Sequence, residues 1–387
     1  MLNYTYVFLN KSQKLNRREK LKILMTGITG LVGAAFVTSL LKQHPDYKIV
    51  SLCRGFGNES GKDRAEKTIR IQCAFDGIPE AADDILSRVE IIEGTLQALP
   101  EDEMMAKGPY DTFFHCAADV NLGKDPQGKT YATNYGGTKA ALALAKKANI
   151  PTFHYVSTAY VAGLSKGRVM EDTMPAPGFN NPYERSKFDS EKLVRESGFP
   201  FTIYRPSIIV GRRSDGVIRK PLAFYRILEF FAMVKRNCCA KAGIPMNGNF
   251  EKNLRLQAGV TDKIYFVPID YVQEAIVKLF PFPTENKTYH ITGESPVSTV
   301  WIEQAVSEVL KAKGLAVCAE VADPTKEEKL VQRMISDLMP YFASEIIFDS
   351  SNVREKLGDE ILDWKLDINF LKKMITAYYQ KEFPELL

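Results

Sequence analysis

Cysteine is sparse and unpatterned in this chain. Its six cysteines, Cys53, Cys73, Cys116, Cys238, Cys239 and Cys318, include no CxxC pair, and Cys53 and Cys116 sit in apolar runs. This argues against a disulfide-stapled scaffold and predicts reduced thiols in a cytoplasmic protein. No HExxH segment or other metal-ligand spacing occurs, so no metal site is expected. Long hydrophobic runs are missing as well, and nothing approaches the roughly 20 apolar residues of a membrane span. The opening MLNYTYVFLN is followed by Lys11, Lys14, Arg17 and Arg18, whereas a secretion signal places its charge before its apolar stretch. An excess of one charge is also lacking. Lysine and arginine number 51 against 47 acidic residues, a net +4 too small and dispersed to predict a nucleic-acid surface.

What the chain does have is rhythm. From residue 21 to about 210, short apolar runs rich in β-branched and aromatic residues alternate with amphipathic segments. KILMT, YKIVSLC, VEII, DTFFHCAA, TFHYVST and FTIYRPSIIV read as strands, and LVGAAFVTSLLKQ, TKAALALAKKANI and SKFDSEKLVRESG as helices. Such alternation predicts an α/β fold, a Rossmann-type doubly wound parallel sheet covered on both faces. After Gly211 the rhythm breaks, with further strands expected at IYFVPI and TYHIT and helices at 301–313 and 367–381. The expected organisation is an N-terminal extension over 1–20, a dinucleotide-binding domain over 21–210, and a smaller C-terminal substrate-binding lobe over 211–387. Some segments of that lobe are expected to return to the Rossmann core.

The first strand runs into Thr26-Gly27-Ile28-Thr29-Gly30-Leu31-Val32-Gly33 and then a helix. Gly27, Gly30 and Gly33 at this spacing permit a tight turn, close approach to a pyrophosphate, and close packing of the helix whose amides face it. The second strand ends in Cys53-Arg54, where an NAD site would carry a carboxylate for the ribose 2′-hydroxyl. A guanidinium there favours a 2′-phosphate, hence NADP(H), with Lys62 and Arg64 following. Gly57 to Lys62 resembles a phosphate-binding P-loop but is one residue short, and Asp63 stands where Ser or Thr is needed. It reads as an exposed loop.

Asn181-Pro182-Tyr183-Glu184-Arg185-Ser186-Lys187 opens a helix, with Pro in its first turn. Tyr183 and Lys187 are four apart and share a face. A lysine ammonium beside a phenol favours the phenolate and lowers its pKa, making tyrosine a usable acid or base for an alcohol–carbonyl pair. Ser157-Thr158, at the end of a strand, lies 25 residues earlier.

TGxTGxxG, HCAA, Asn134 before GGT, STAY, YxxxK and YRPS together resemble the extended short-chain dehydrogenase/reductase superfamily. FHCAADVNL, VSTAYVAG, YRPSIIVG, VPIDYV and TYHIT are similar to its thioester-reductase and fatty acyl-CoA reductase branch, over about residues 21–295. The resemblance implies that Tyr183 donates the proton, Lys187 binds the nicotinamide ribose and tunes Tyr183, and Thr158 hydrogen-bonds the substrate oxygen. It implies cofactor contacts from Gly27, Thr29, Gly30, Leu31, Gly33, Arg54, Ala117, Ala118, Asn134, Pro206 and Ser207. Gly94-Thr95 stands where the superfamily has Gly-Asp against adenine, so Thr95 is expected to make that contact.

Ala159 and Tyr160 supply no acid–base pair for a sugar-nucleotide dehydratase. The reaction the resemblance implies is NADPH-dependent reduction of an acyl thioester, on coenzyme A or a carrier protein, or of a related carbonyl. The alternatives are an NADP-dependent sugar-nucleotide epimerase or reductase, and a non-catalytic NADP sensor. The aromatic stretch 224–234, flanked by Lys220, Arg226, Lys235 and Arg236, reads as a core helix, a lid over an acyl chain, or a peripheral membrane contact. Its cations are candidates for the phosphates of coenzyme A or a carrier's phosphopantetheine. His115 and His290, inside apolar strands, read as structural.

Overall fold

The computed structural model describes residues 20–387 apart from 176, 177 and 260. The expected extension therefore lies outside the described residues except for its last position. Seven strands form the central sheet: β1 (Lys22–Thr26), β2 (Lys48–Cys53), β3 (Val89–Glu93), β4 (Thr112–His115), β5 (Phe153–Val156), β6 (Phe201–Pro206) and β7 (Lys287–Ile291). Their spatial order is β3-β2-β1-β4-β5-β6-β7, with every pairing parallel. β1, β4, β5 and β6 are buried on both faces, which is why their sequences are continuously apolar and do not alternate.

Around the sheet stand α1 (Leu31–Gln43), α2 (Gly61–Phe75), α3 (Gly137–Lys147), α4 (Pro182–Glu196), α5 (Tyr225–Ala242) and α6 (Ile269–Leu279). Ser60 caps α2 and Asn181 caps α4, each side chain accepting the backbone N–H three residues on. β1 and β4 end opposite each other at Thr26 and His115, where the strand order reverses. Loops leaving these two strands part there and open the crevice in which such sheets bind ligands.

Past residue 211 the chain both returns to the sheet, through β7, and forms α5, a parallel pair Phe250–Gln257 with Ala312–Cys318, and helices including Thr299–Val309 and Ile368–Glu382. Two local expectations are corrected. The helix expected over 301–313 stops at Val309; Lys311 takes φ 52° and the chain becomes a strand, Ala312–Cys318, paired with Phe250–Gln257. FTIYRPSIIV is two strands: Ile208–Val210 leaves the sheet after Ser207 and pairs with Phe266–Pro268.

Candidate active site

The glycine turn has the geometry that its spacing predicts. Gly27 sits at φ +88°, and a Cβ there would fall 2.6 Å from the Ala117 nitrogen. A Cβ on Gly33 would fall 2.1 Å from the Gly27 carbonyl oxygen, so only glycine lets α1 press against the turn. Gly30, at the N-cap, offers no side-chain acceptor to the first-turn amides, which stay available to an anion. Thr26 closes the base of the turn: its hydroxyl meets His115 Nδ1 at 2.7 Å and accepts from the Ala117 N–H.

Beside this turn lies a cleft lined by Gly27, Thr29, Gly30, Arg54, Thr95, Ala117 and Ala118, all anticipated from sequence. Arg64, Asp119, Thr133 and Lys220 line it too. Leu31 and Gly33 lie instead in the buried first turn of α1, behind the cleft wall. Asn134 is also buried. It spends its side chain bridging the Asp119 backbone (2.7 and 3.0 Å) and Ser186 Oγ (2.8 Å), so it joins the β4 loop to α4 and does not line the cleft. Its place is a π-helical turn, Ala132–Gly136, a distortion frequent at functional sites.

On the β5 side, α4 brings Tyr183 beside the Thr158 side chain. Thr158 Oγ accepts from the Tyr160 N–H and faces the Pro206 carbonyl at 3.4 Å. Ser207, next to it, is buried with its hydroxyl unpartnered among the described residues. Lys187 is buried, with Nζ donating to the Val156 carbonyl at 2.7 Å and lying 4.2 Å from the Tyr155 ring centre. Burial pulls its pKa down to about 7, against the pull of Cys116 and Glu191. For Tyr183 the expectation needs correcting. Burial pushes the phenol above its ordinary value, and the neighbour that lowers it is Thr158, whereas sequence reasoning gave that part to Lys187. A phenol held protonated suits a proton donor.

The seat of both side chains is a buried charge network. Glu191, one turn after Lys187, accepts from Arg205 (3.0 Å at Nε), Arg195 (2.9 Å) and Ser157 Oγ (2.9 Å). Burial is the largest influence and would raise its carboxyl, but Arg205, Arg195 and Ser157 together outweigh it and hold the group down at about 2. Ser157 precedes Thr158, so one carboxylate fixes the strand end and the helix to each other.

Comparison with known proteins agrees with this geometry. The family model described as male sterility protein matches residues 25–276, well over half the chain. The chain belongs to the male sterility protein family. That places it in the extended short-chain dehydrogenase/reductase superfamily, on the thioester-reductase branch, and makes it an oxidoreductase that uses a nicotinamide cofactor. It is 25% identical over 369 residues to the non-canonical nonribosomal peptide synthetase FrzA of Cladobotryum sp, covering 89% of this chain and 32% of that protein. With the glycine betaine reductase ATRR of Emericella nidulans it shares 28% over 309 residues, 76% of this chain and 22% of the relative. The chain thus spans a third or less of these relatives. Among solved structures, the terminal R domain of the myxalamid PKS-NRPS pathway superposes with TM-score 0.74 at 24% identity, covering 94% of this chain and 92% of that one.

Several features of this family member were not reached from sequence. Glu191 was not singled out, although its i, i+4 spacing from Lys187 was a usable signal. Lys220, grouped by sequence with the 224–234 stretch, lines the cleft beside the glycine turn. The stretch itself is a core helix: Tyr225, Ile227, Leu228, Phe230 and Phe231 of α5 are buried. This counts against a membrane contact, since the apolar face is turned into the protein. Lys235 is buried and donates to the Leu310 and Leu386 carbonyls, and Arg236 pairs with Glu385, so neither is free for a substrate phosphate. Gly57 to Lys62 is confirmed as no P-loop, because Ser60 caps α2 and Lys62 lies out with Glu66. His115 and His290 are buried and hydrogen-bonded, and burial pushes both down to about 3. Among the described residues, no helix is long and apolar enough to cross a membrane.

Proposed function

We propose that this chain reduces an acyl thioester with NADPH, releasing an aldehyde and a thiol. The observation that carries the reading is the Tyr183–Thr158 pair at the C-terminal edge of β5, beside a nucleotide cleft. Two polar hydroxyls there can meet one carbonyl oxygen, and Lys187 stands one helical turn away.

The residues fit a dinucleotide. The Gly27 cradle would clash with any side chain, the α1 amides are uncapped, and Arg54 and Arg64 stand where a 2′-phosphate favours them over a carboxylate. The cofactor, when bound, supplies the hydride. The protein's own part is electrostatic and acid–base. Thr158 and Tyr183 are held in place before reaction, so they stabilise negative charge as it develops on the carbonyl oxygen without reorganising. Tyr183, protonated at neutral pH, gives up its proton to that oxygen. Lys187 positions the ribose and offsets charge left on the phenol. The resulting hemithioacetal loses thiol to give the aldehyde, and a second round would give the alcohol.

The named relatives are assembly-line proteins and a reductase, which supports a carrier-bound thioester arriving from a partner protein. Ala159 and Tyr160 follow Thr158, and neither side chain supplies a carboxylate, which counts against dehydration. The test is stoichiometry: acyl-CoAs and acyl-N-acetylcysteamine thioesters of several lengths are incubated with NADPH, and thiol release is titrated. One thiol for each NADPH in the first round supports thioester reduction. NADPH consumption without thiol would move the activity to free carbonyls. Turnover only with sugar nucleotides would contradict the proposal.

A further inference from the structure

The nucleotide cleft belongs mainly to the sheet domain, yet part of its wall comes from Lys220, beyond β6 in the chain. Arg219 donates Nη2 to the Gly30 carbonyl at 2.7 Å, which pins this segment to the glycine turn. The next residue, Lys220, lines the cleft together with Arg54 and Arg64. Arg64 is itself anchored by donating to the Arg54 carbonyl. The cations therefore converge from two parts of the chain.

Among the described residues, no carboxylate forms a salt bridge with Arg54, Arg64 or Lys220. Burial, followed by the charges of Arg219, Arg64 and Arg54, pushes the Lys220 pKa down. Of the carboxylates nearby, Asp76 acts on Arg219 and accepts from Thr38 Oγ at 2.7 Å, and two others are engaged as well. Glu93 accepts from the Gly61 N–H at 2.9 Å, and Asp119 accepts from Thr130 Oγ at 3.0 Å on the β4 side. A self-repelling cluster that lines a cleft is stabilised by an anion entering that cleft. Its place at the end of β2, past the glycine turn, is where the adenosine ribose of a dinucleotide is expected.

We infer that Lys220 completes, with Arg54 and Arg64, a three-cation site for the 2′-phosphate of NADP(H), and that the Arg219–Gly30 bond holds Lys220 there. This rests on the NADPH reading above and adds to it a specificity residue supplied from outside the nucleotide-binding half of the chain. Sequence patterns for dinucleotide sites end near the second strand, so a residue more than 150 positions further on is invisible to them.

The experiment uses the purified full chain and two ligands that differ only in the phosphate at issue, adenosine 2′,5′-bisphosphate and 5′-AMP, titrated by calorimetry. The wild type is expected to prefer the bisphosphate. Lys220→Gln should cut that preference about tenfold or more, the size of one charge-assisted hydrogen bond, and leave 5′-AMP affinity within about twofold. Lys220→Arg should keep most of the preference. Equal weakening of both ligands would place Lys220 on the shared 5′-phosphate and overturn the inference, as would an unchanged preference in Lys220→Gln. A wild type with no preference would instead overturn the NADPH reading itself, a result visible before any variant is made.

Discussion

Replacing Glu191 with Gln tests how the active site is held together. The substitution keeps the side-chain shape and removes the charge. Arg205, fully buried, then faces a neutral amide, while Arg195, 18% exposed, can turn to water. Leaving one buried charge uncompensated costs about 3–5 kcal/mol. The Glu171 and Thr173 carbonyls still accept from Arg205, so the lower end, about 3 kcal/mol, is expected. With an unfolding entropy of about 0.8 kcal/mol/K for a chain of 387 residues, the melting temperature should fall by about 4 °C. The carboxyl titrates lower in the folded protein than in the unfolded chain, so its contribution is present above the ordinary carboxylate value of 4.5 and lost as pH falls towards about 2. The wild type and Glu191→Gln stability curves, measured by urea unfolding across pH, should therefore converge on acidification. Removing both partners, with Glu191→Leu and Arg205→Met, should restore much of the loss, because a well-packed apolar pair replaces a buried ionic one. Turnover should drop about ten- to a hundredfold in Glu191→Gln, since Ser157 and the Lys187 turn lose their common anchor. A stability loss below about 1 kcal/mol, or a loss with no pH dependence, would refute the network's role.

Lys187→Met should abolish turnover and yet stabilise the protein at pH 6–7. The ammonium's folded pKa, about 7, lies below its ordinary 10.5, so the unfolded chain binds the extra proton between these values and stability rises with pH there. Below that window the cost of the buried charge is fully present, and thermal melts should show the variant gaining about 1–4 kcal/mol, a gain that vanishes towards pH 10. Gly33→Ala should cost about 1–3 kcal/mol and weaken cofactor binding, because its methyl meets the Gly27 backbone at 2.1 Å; unchanged NADPH affinity would count against the turn's close packing. Arg54→Ala should weaken NADPH far more than NADH in calorimetry, and equal weakening would remove it from the 2′-phosphate site.

What the sequence made legible was local. KILMT, the three glycines, the Pro182-opened helix and the Tyr183–Lys187 spacing all carry their signal within one turn or strand, and each stands in the structure where its pattern put it. What it hid depends on distant partners. Ala312–Cys318 becomes a strand because Phe250–Gln257 offers an edge, although the preceding residues are helical. The helix Gly61–Phe75 was missed because its polar face dominates its composition. The direction of the Tyr183 shift also escaped, since burial around a side chain is set by elements far away in sequence. Lys220 is the clearest case: as a residue beside an apolar run it suggests a substrate phosphate, and only the folded chain brings it to Arg54 and Arg64.

The central claim is that Tyr183, paired with Thr158, delivers the proton that lets a thioester carbonyl accept hydride. The direct measurement is single-turnover reduction of an acyl thioester by wild type and Tyr183→Phe, with NADPH binding measured on the same samples. The account predicts a rate loss of about 10²–10⁴-fold with cofactor affinity nearly unchanged. Undiminished reduction by Tyr183→Phe would contradict it.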